Sequence, residues 1–314
     1  MKHPTQSSRV VRADGRHRWT QRTVATTVVT VLIAAGGAAF AQASPGQSVV
    51  SLRQTDAEAL AKAVSGRNVD VREATFVGSD VQAGRFSGFG DTGLRRGVAL
   101  STGSVIPADP DSPEDVDFTR SSILGPNVSL TTTGDLGGEG SPELEALFGA
   151  TTYDAAVLTM RVVPRYDRLR LTYVFGSEEY AGWSERDYTD SFAILVDGKP
   201  CSYVPRTQDL VSTSTVNEAT NAGRYRQNFA PNDPVAGQYD TELNGFTTEL
   251  TCDATVKARR AVTVTVAIAD TRDGQLDSTV LLARDGLTSE RSRGNHGSGQ
   301  AGGHGYWGWY SRVV

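Results

Sequence analysis

Val262-Thr263-Val264-Thr265-Val266-Ala267-Ile268 is the stretch whose reading decides the fold. Its apolar residues occupy every second position, the period of a strand with one buried face, and the run ends at the acidic residue Asp270. Working outward, the same alternation fills Leu158-Thr159-Met160-Arg161-Val162. After Pro164 to Asp167 it resumes at Leu169, Leu171, Tyr173 and Phe175, so the pair reads as an antiparallel hairpin. Phe192, Ile194 and Val196 stop at the turn pair Asp197-Gly198, and Val280 and Leu282 supply one more strand. Helix signals are few. Thr55-Asp56-Ala57-Glu58 reads as a capping box before a short stretch ending at Gly66, and Ser141-Pro142 with Gly149 brackets Leu144, Leu147 and Phe148. Both helices are expected to cover an end of the fold. The pattern predicts a mainly β chain: one antiparallel β-sandwich or jelly-roll-like domain with a few short helices.

The N-terminus has a different character. Lys2, Arg9, Arg12, Arg16, Arg18 and Arg22 stand against one acid, Asp14, and an uncharged run follows from Thr23 to Ala43. A basic segment, an apolar run and the small-x-small sequences Ala39-Phe40-Ala41 and Ala41-Gln42-Ala43 are the parts of a secretory signal peptide, here residues 1–43. A retained membrane anchor is the alternative, since the run is near the lower length limit for a span. Cleavage removes six basic residues and one acid, which takes the formal charge from −5 to −10. That balance argues against a nucleic-acid partner, and signal cleavage is expected to leave no transmembrane span in the mature chain.

The four histidines, His3, His17, His296 and His304, all fall outside the predicted domain at 44–288. Histidine-based acid/base chemistry, Ser-His-Asp hydrolysis and the usual zinc sites are thereby excluded from it. The two cysteines, Cys201 and Cys252, read as one disulfide in an oxidising compartment. Residues 289–314 hold seven glycines and the pair Trp307 and Trp309 without strand or helix period, and are expected to form a disordered tail.

Two constellations could carry chemistry. Glu178-Glu179-Tyr180, continuing through Trp183 and Tyr188 to Asp190, crowds acids and aromatics between two strands; alternation would send Glu178 and Glu179 to opposite faces. The second is Asp270-Thr271-Arg272-Asp273-Gly274-Gln275-Leu276-Asp277, three carboxylates on one strand connection. Their mutual repulsion calls for a positive charge, either Arg272 or a calcium ion, and the spacing is not that of an EF-hand. Glu178, Glu179, Asp190, Asp270, Asp273 and Asp277 are therefore candidate metal ligands, and Tyr180, Trp183 and Tyr188 candidate stacking residues.

Phe175-Gly176-Ser177-Glu178-Glu179-Tyr180, then Asp190-Ser191-Phe192, Asn244-Gly245-Phe246-Thr247 and Asp270 through Val280 resemble the choice-of-anchor L domain of bacterial surface proteins. Gly84-Arg85-Phe86-Ser87 and Gly97-Val98-Ala99-Leu100-Ser101-Thr102-Gly103 extend the resemblance to the N-terminal half. It implies a secreted or surface-displayed domain. Neither a Leu-Pro-x-Thr-Gly motif nor an apolar segment near residue 314 accompanies it here, so free secretion or non-covalent retention fits better than a wall anchor.

The expected function is a non-catalytic binding or adhesion module with an extracellular ligand, a carbohydrate or a surface protein, stabilised by calcium. A carboxylate-based glycoside hydrolase, pairing Glu178 or Glu179 with Asp190, Asp270, Asp273 or Asp277, is the enzymatic alternative. A passive matrix component is the third. Protein recovered from culture medium should begin at Gln42 or Ser44; N-terminal sequencing that finds Met1 on membrane-bound protein would make the segment an anchor.

Overall fold

The structure is a computed structural model that describes residues 46–127, 135–180, 189–228 and 237–292. Its strands in chain order are β1 (Ser48–Ser51), β2 (Val69–Val77), β3 (Ala83–Ser87), β4 (Arg96–Ser101), β5 (Thr152–Pro164), β6 (Arg168–Ser177) and β7 (Ser191–Val196), then β8 (Lys199–Pro200), β9 (Tyr225–Gln227), β10 (Gly245–Thr247), β11 (Leu250–Thr255), β12 (Val262–Thr271) and β13 (Ser278–Glu290). The helices are α1 (Ala57–Val64) and α2 (Pro142–Phe148). Among the described residues no helix is long and apolar enough to cross a membrane.

The strands form an antiparallel β-sandwich. One sheet runs β1-β3-β4-β13-β6-β10-β9, with β11 also on β6; the other runs β2-β5-β12-β7-β8. Alternating residues of both sheets meet in one apolar layer that includes Leu158, Met160, Leu171, Val264, Val266 and Leu282. Phe192 of β7 packs against Phe175 and Tyr173 of β6, each with ring centroids 5.5 Å apart, so aromatic contact crosses between the sheets.

Local signals form as read at several points. Asp197 and Gly198, at φ 48° and 75°, make the tight turn between β7 and β8. Ser141 accepts from the Leu144 amide at the start of α2, Pro142 fills its first turn, and Gly149 ends it at φ 71°. For α1 the cap moves one residue from the expected capping box: Asp56, not Thr55, accepts from the Ala59 amide, at 2.7 Å. Leu60, Ala61 and Val64 of α1 belong to the main core, so this helix contributes more than an end cover.

Two expectations about the strands need correction. β5 and β6 are not a hairpin: β5 pairs with β2 and β12, while β6 pairs with β13, β10 and β11 in the other sheet. Alternation tells which face of a strand is buried but not which strand lies beside it, and the connection at 165–167 carries the chain across the sandwich. At the C-terminal side, β13 continues through Ser289 and Glu290, which pair with Leu169 and Arg168, two residues beyond the expected boundary.

Cys201 and Cys252 form the expected disulfide, with Cα atoms 4.8 Å apart. The Cys201 amide donates to Ile194 of β7 and Cys252 lies in β11, so the bond ties one sheet to the other. In the outer edge of the five-stranded sheet, the pairing of β2 with β5 slips between Val71 and Glu73, a bulge at Arg72. Arg53 forms a two-point pair with the buried carboxylate of Asp115, which also accepts the Asp109 amide at 2.7 Å.

Two predictions rest on these links. Reducing the disulfide, which spans 51 positions, should cost about 4 kcal/mol in the chain-entropy model and lower the melting temperature by on the order of 10 °C; an unchanged midpoint would refute a structural role. Arg53 holds the Asp115 carboxyl below the usual carboxylate range, so its stabilisation is present above roughly pH 4 and fades as pH falls through the depressed value. Asp115→Asn should therefore cost about 1–3 kcal/mol at pH 7 and progressively less in acid, measured by denaturant melts across pH.

Candidate functional site

β4, β6 and β12 end, and β5, β7 and β13 begin, at the same end of the sandwich. The register fixes this: Ser278 at the start of β13 faces Ser177 at the end of β6, and Ser191 at the start of β7 faces Ala269 near the end of β12. The acids just beyond or within these strand ends are thus drawn together. Glu178 follows β6, Asp190 precedes β7, Asp270 lies near the end of β12, and Asp277 precedes β13. All four are at most 2 % exposed.

Each is positioned by a named partner. The Glu178 amide donates to the Asp277 carbonyl at 2.9 Å, and the Asp277 amide donates back to Glu178 Oε2 at 3.3 Å. Thr102 Oγ1 donates to Asp277 Oδ1 at 3.3 Å and accepts from the Ser278 amide at 3.0 Å. The Thr271 amide donates to Asp190 Oδ1 at 3.2 Å. Gly103 leaves the room that Asp277 occupies, since an added Cβ there would stand 1.7 Å from Asp277 Oδ2. The Ser-Thr-Gly run at 101–103 thus has a direct structural use: Thr102 holds the aspartate and Gly103 makes space for it.

Of the residues singled out in the sequence, Glu179 is also buried but turns elsewhere, accepting from the Asp190 amide at 3.2 Å and from Thr213 Oγ1 at 3.4 Å. Asp273 lies exposed at the surface of the turn, its carboxylate facing the Gln275 amide at 3.4 Å. Arg272 is exposed at φ 79° and forms no ion pair with these aspartates among the described residues, so it is not their counter-ion. Tyr180 is fully buried with its ring 4.8 Å from that of Tyr225, which makes it a packing residue with no face open to a ligand. Trp183 and Tyr188 lie outside the described residues.

Sequence reading missed Asp154 of β5, which accepts from the Leu136 amide at 2.9 Å and from the Gly138 amide and lies within electrostatic reach of Asp270 and Asp277. A lone acid in an apolar strand was its one local signal. Asn244 was noted only within a motif; its side-chain amide donates to the Glu178 carbonyl and so fixes the acidic loop to β10.

Burial dominates the electrostatics. It raises the carboxyls of Asp190 and Asp270 well above the usual range, helped by their like-charged neighbours, and raises Asp277 to about 8, Glu179 to about 7 and Asp154 to about 6. No lysine or arginine forms an ion pair with these five acids among the described residues. Such a group can share protons or take up a hard cation. As they stand, no three His, Cys, Asp or Glu side chains among the described residues are drawn together tightly enough to be a finished metal centre.

Among curated protein sequences none matches the chain. A solved structure, beta-glucosidase from Kluyveromyces marxianus in complex with glucose, shows 10 % identity with a TM-score of 0.19 over 57 % of this chain, a likeness too low to carry an argument. The matched part spans 17 % of that enzyme's chain. The model of the choice-of-anchor L domain, in contrast, matches residues 48–288, from the first residue of β1 to within two residues of the end of β13. The protein belongs to the choice-of-anchor L domain family, a module of secreted and cell-surface proteins.

Proposed function

We propose that the protein acts outside the cell as a non-catalytic binding module for an anionic polysaccharide. The observation that carries this reading is an open groove of about 700 Å³ between α1 and the strands β1, β3, β4 and β13. Lys62, Arg85, Arg96 and Arg284 line it, and no acidic residue does. Lys62 and Arg284 have carboxylate neighbours in Glu58 and Asp285, whereas Arg85 and Arg96 form no ion pair among the described residues. The register sets Arg85 opposite Val98 and Arg96 opposite Ser87, so the two guanidiniums lie on adjacent strands two positions apart on one face.

On a chain whose expected mature charge is −10, a cationic groove is a local reversal of sign that selects for negative ligands by charge complementarity. The cations are spread over four chain segments, a distribution suited to a polymer that carries a negative charge at each repeat. Catalysis fits poorly. A glycosidase needs two carboxyl groups facing each other across an open cleft, and here Glu178, Glu179, Asp190, Asp270 and Asp277 are all buried.

The mature protein should bind immobilised polyuronate and not a neutral glucan, with retention falling steeply between 0.05 and 0.5 M salt on the order-of-magnitude scale of charge screening. Arg85→Glu with Arg96→Glu should weaken binding roughly tenfold or more while leaving the melting temperature within about 2 °C, because both side chains are exposed. Equal retention on both polymers, undiminished binding by the double variant, or release of sugar from the polymer would each defeat the reading.

A further inference from the structure

We propose that the acidic end of the sandwich is a calcium site built from Asp190, Asp270 and Asp277, with Glu178 beside them. A cluster of carboxylates alone would say little; the state of their oxygens points to a ligand. Asp190 is held by its Oδ1 and Asp277 by its Oδ1, while Oδ2 of each is buried without a hydrogen-bond partner. Asp270, wholly buried, has no well-formed hydrogen bond at either oxygen, although the Thr102 hydroxyl lies close by. Ser278 Oγ, close to Asp190, is buried without a well-formed hydrogen bond as well. Two aspartates thus present a fixed edge and a bare edge, and the third lacks a well-formed bond at both, in a place closed to solvent.

Bare acceptors of one kind cannot satisfy one another. A proton relieves one oxygen at a time, whereas a hard divalent cation takes six to eight oxygen ligands at once and cancels the like charges that oppose the cluster. The chemistry of the donors selects the ion. The residues of the matched span contain no histidine, and both cysteines are bonded to each other, so a softer metal finds no nitrogen or sulfur. Magnesium needs a near-ideal octahedron and keeps much of its water, while calcium accepts the irregular oxygen set that separate strand ends provide. The ion supplies the attraction that draws the free carboxylate edges into a shell. Asp273, the ligand that spacing alone would suggest, remains outside on the exposed turn.

The site is independent of the basic groove, so the test needs no polysaccharide. The mature chain is melted in EGTA and in millimolar calcium chloride, with calcium binding followed by titration calorimetry. Calcium should bind once per chain and raise the melting temperature by about 5 °C or more. Asp270→Asn removes a buried acidic group that lacks a well-formed hydrogen bond and keeps the shape, so in EGTA the variant should melt no lower than the parent, yet it should lose most of the calcium rise. Asp277→Asn should lose the rise too, and Asp273→Asn should keep it. A parent chain with no calcium heat and no shift overturns the proposal. So does Asp270→Asn that responds to calcium as fully as the parent, or Asp273→Asn that loses the response.

Discussion

Two sheets that share one apolar layer must be joined by connections that leave one sheet and enter the other, and the passage from β12 to β13 is the one on which this molecule turns. Both strands are internal to their sheets, β12 between β5 and β7, β13 between β4 and β6. Their junction therefore has to form at the edge of the core itself, where backbone groups cannot rely on water. The solution is a set of short polar side chains. Thr102 takes the Ser278 amide, Ser191 and Thr271 share a hydroxyl contact at 2.8 Å across β7 and β12, and Gln82 donates to the carbonyls of Thr102 and Asp154 at 2.7 Å each. The carboxylates belong to the same framework, since each accepts at least one amide or hydroxyl from a neighbouring segment or stands next to one that does.

This arrangement separates two kinds of charge by depth. Buried acids gather at the strand ends where solvent is excluded, and the cations of the open groove stay on the surface beside α1. The first set acts on the stability of the fold, because removing carboxyl groups from water opposes their ionisation and makes each missing hydrogen bond costly. The second set lies where solvent and salt reach it, so each of its charges acts outward only over the screening length. A family model covering residues 48–288 takes in both.

What could be read from the sequence was what local chemistry controls. The Asp197-Gly198 turn, the Ser141-Pro142 start and Gly149 stop of α2, and the single possible disulfide depend on neighbours in the chain or on counting, and each formed as read. The acids were legible as a group because Glu178, Asp190, Asp270 and Asp277 sit at strand ends, and in an antiparallel sandwich strand ends from distant segments converge. What escaped depends on partners chosen in three dimensions. Alternation in β5 and β6 could not say that they lie in different sheets. Nothing local could show that Tyr180 points inward while Arg272 points out, or that Thr102, 175 positions earlier, would hold Asp277.

One feature of the margin bears on life in a crowd. A sheet ends in strands whose amides and carbonyls can accept another chain, and nine residues of β2 would offer a long template. The slip between Val71 and Glu73 breaks that template midway, and Asp70, Arg72 and Glu73 set charges along it. At the opposite margin β8 has two residues, and in the larger sheet the terminal strands β1 and β9 have four and three. Among the described residues these four margins therefore offer another chain only short or interrupted templates, which works against edge-to-edge pairing of neighbouring copies.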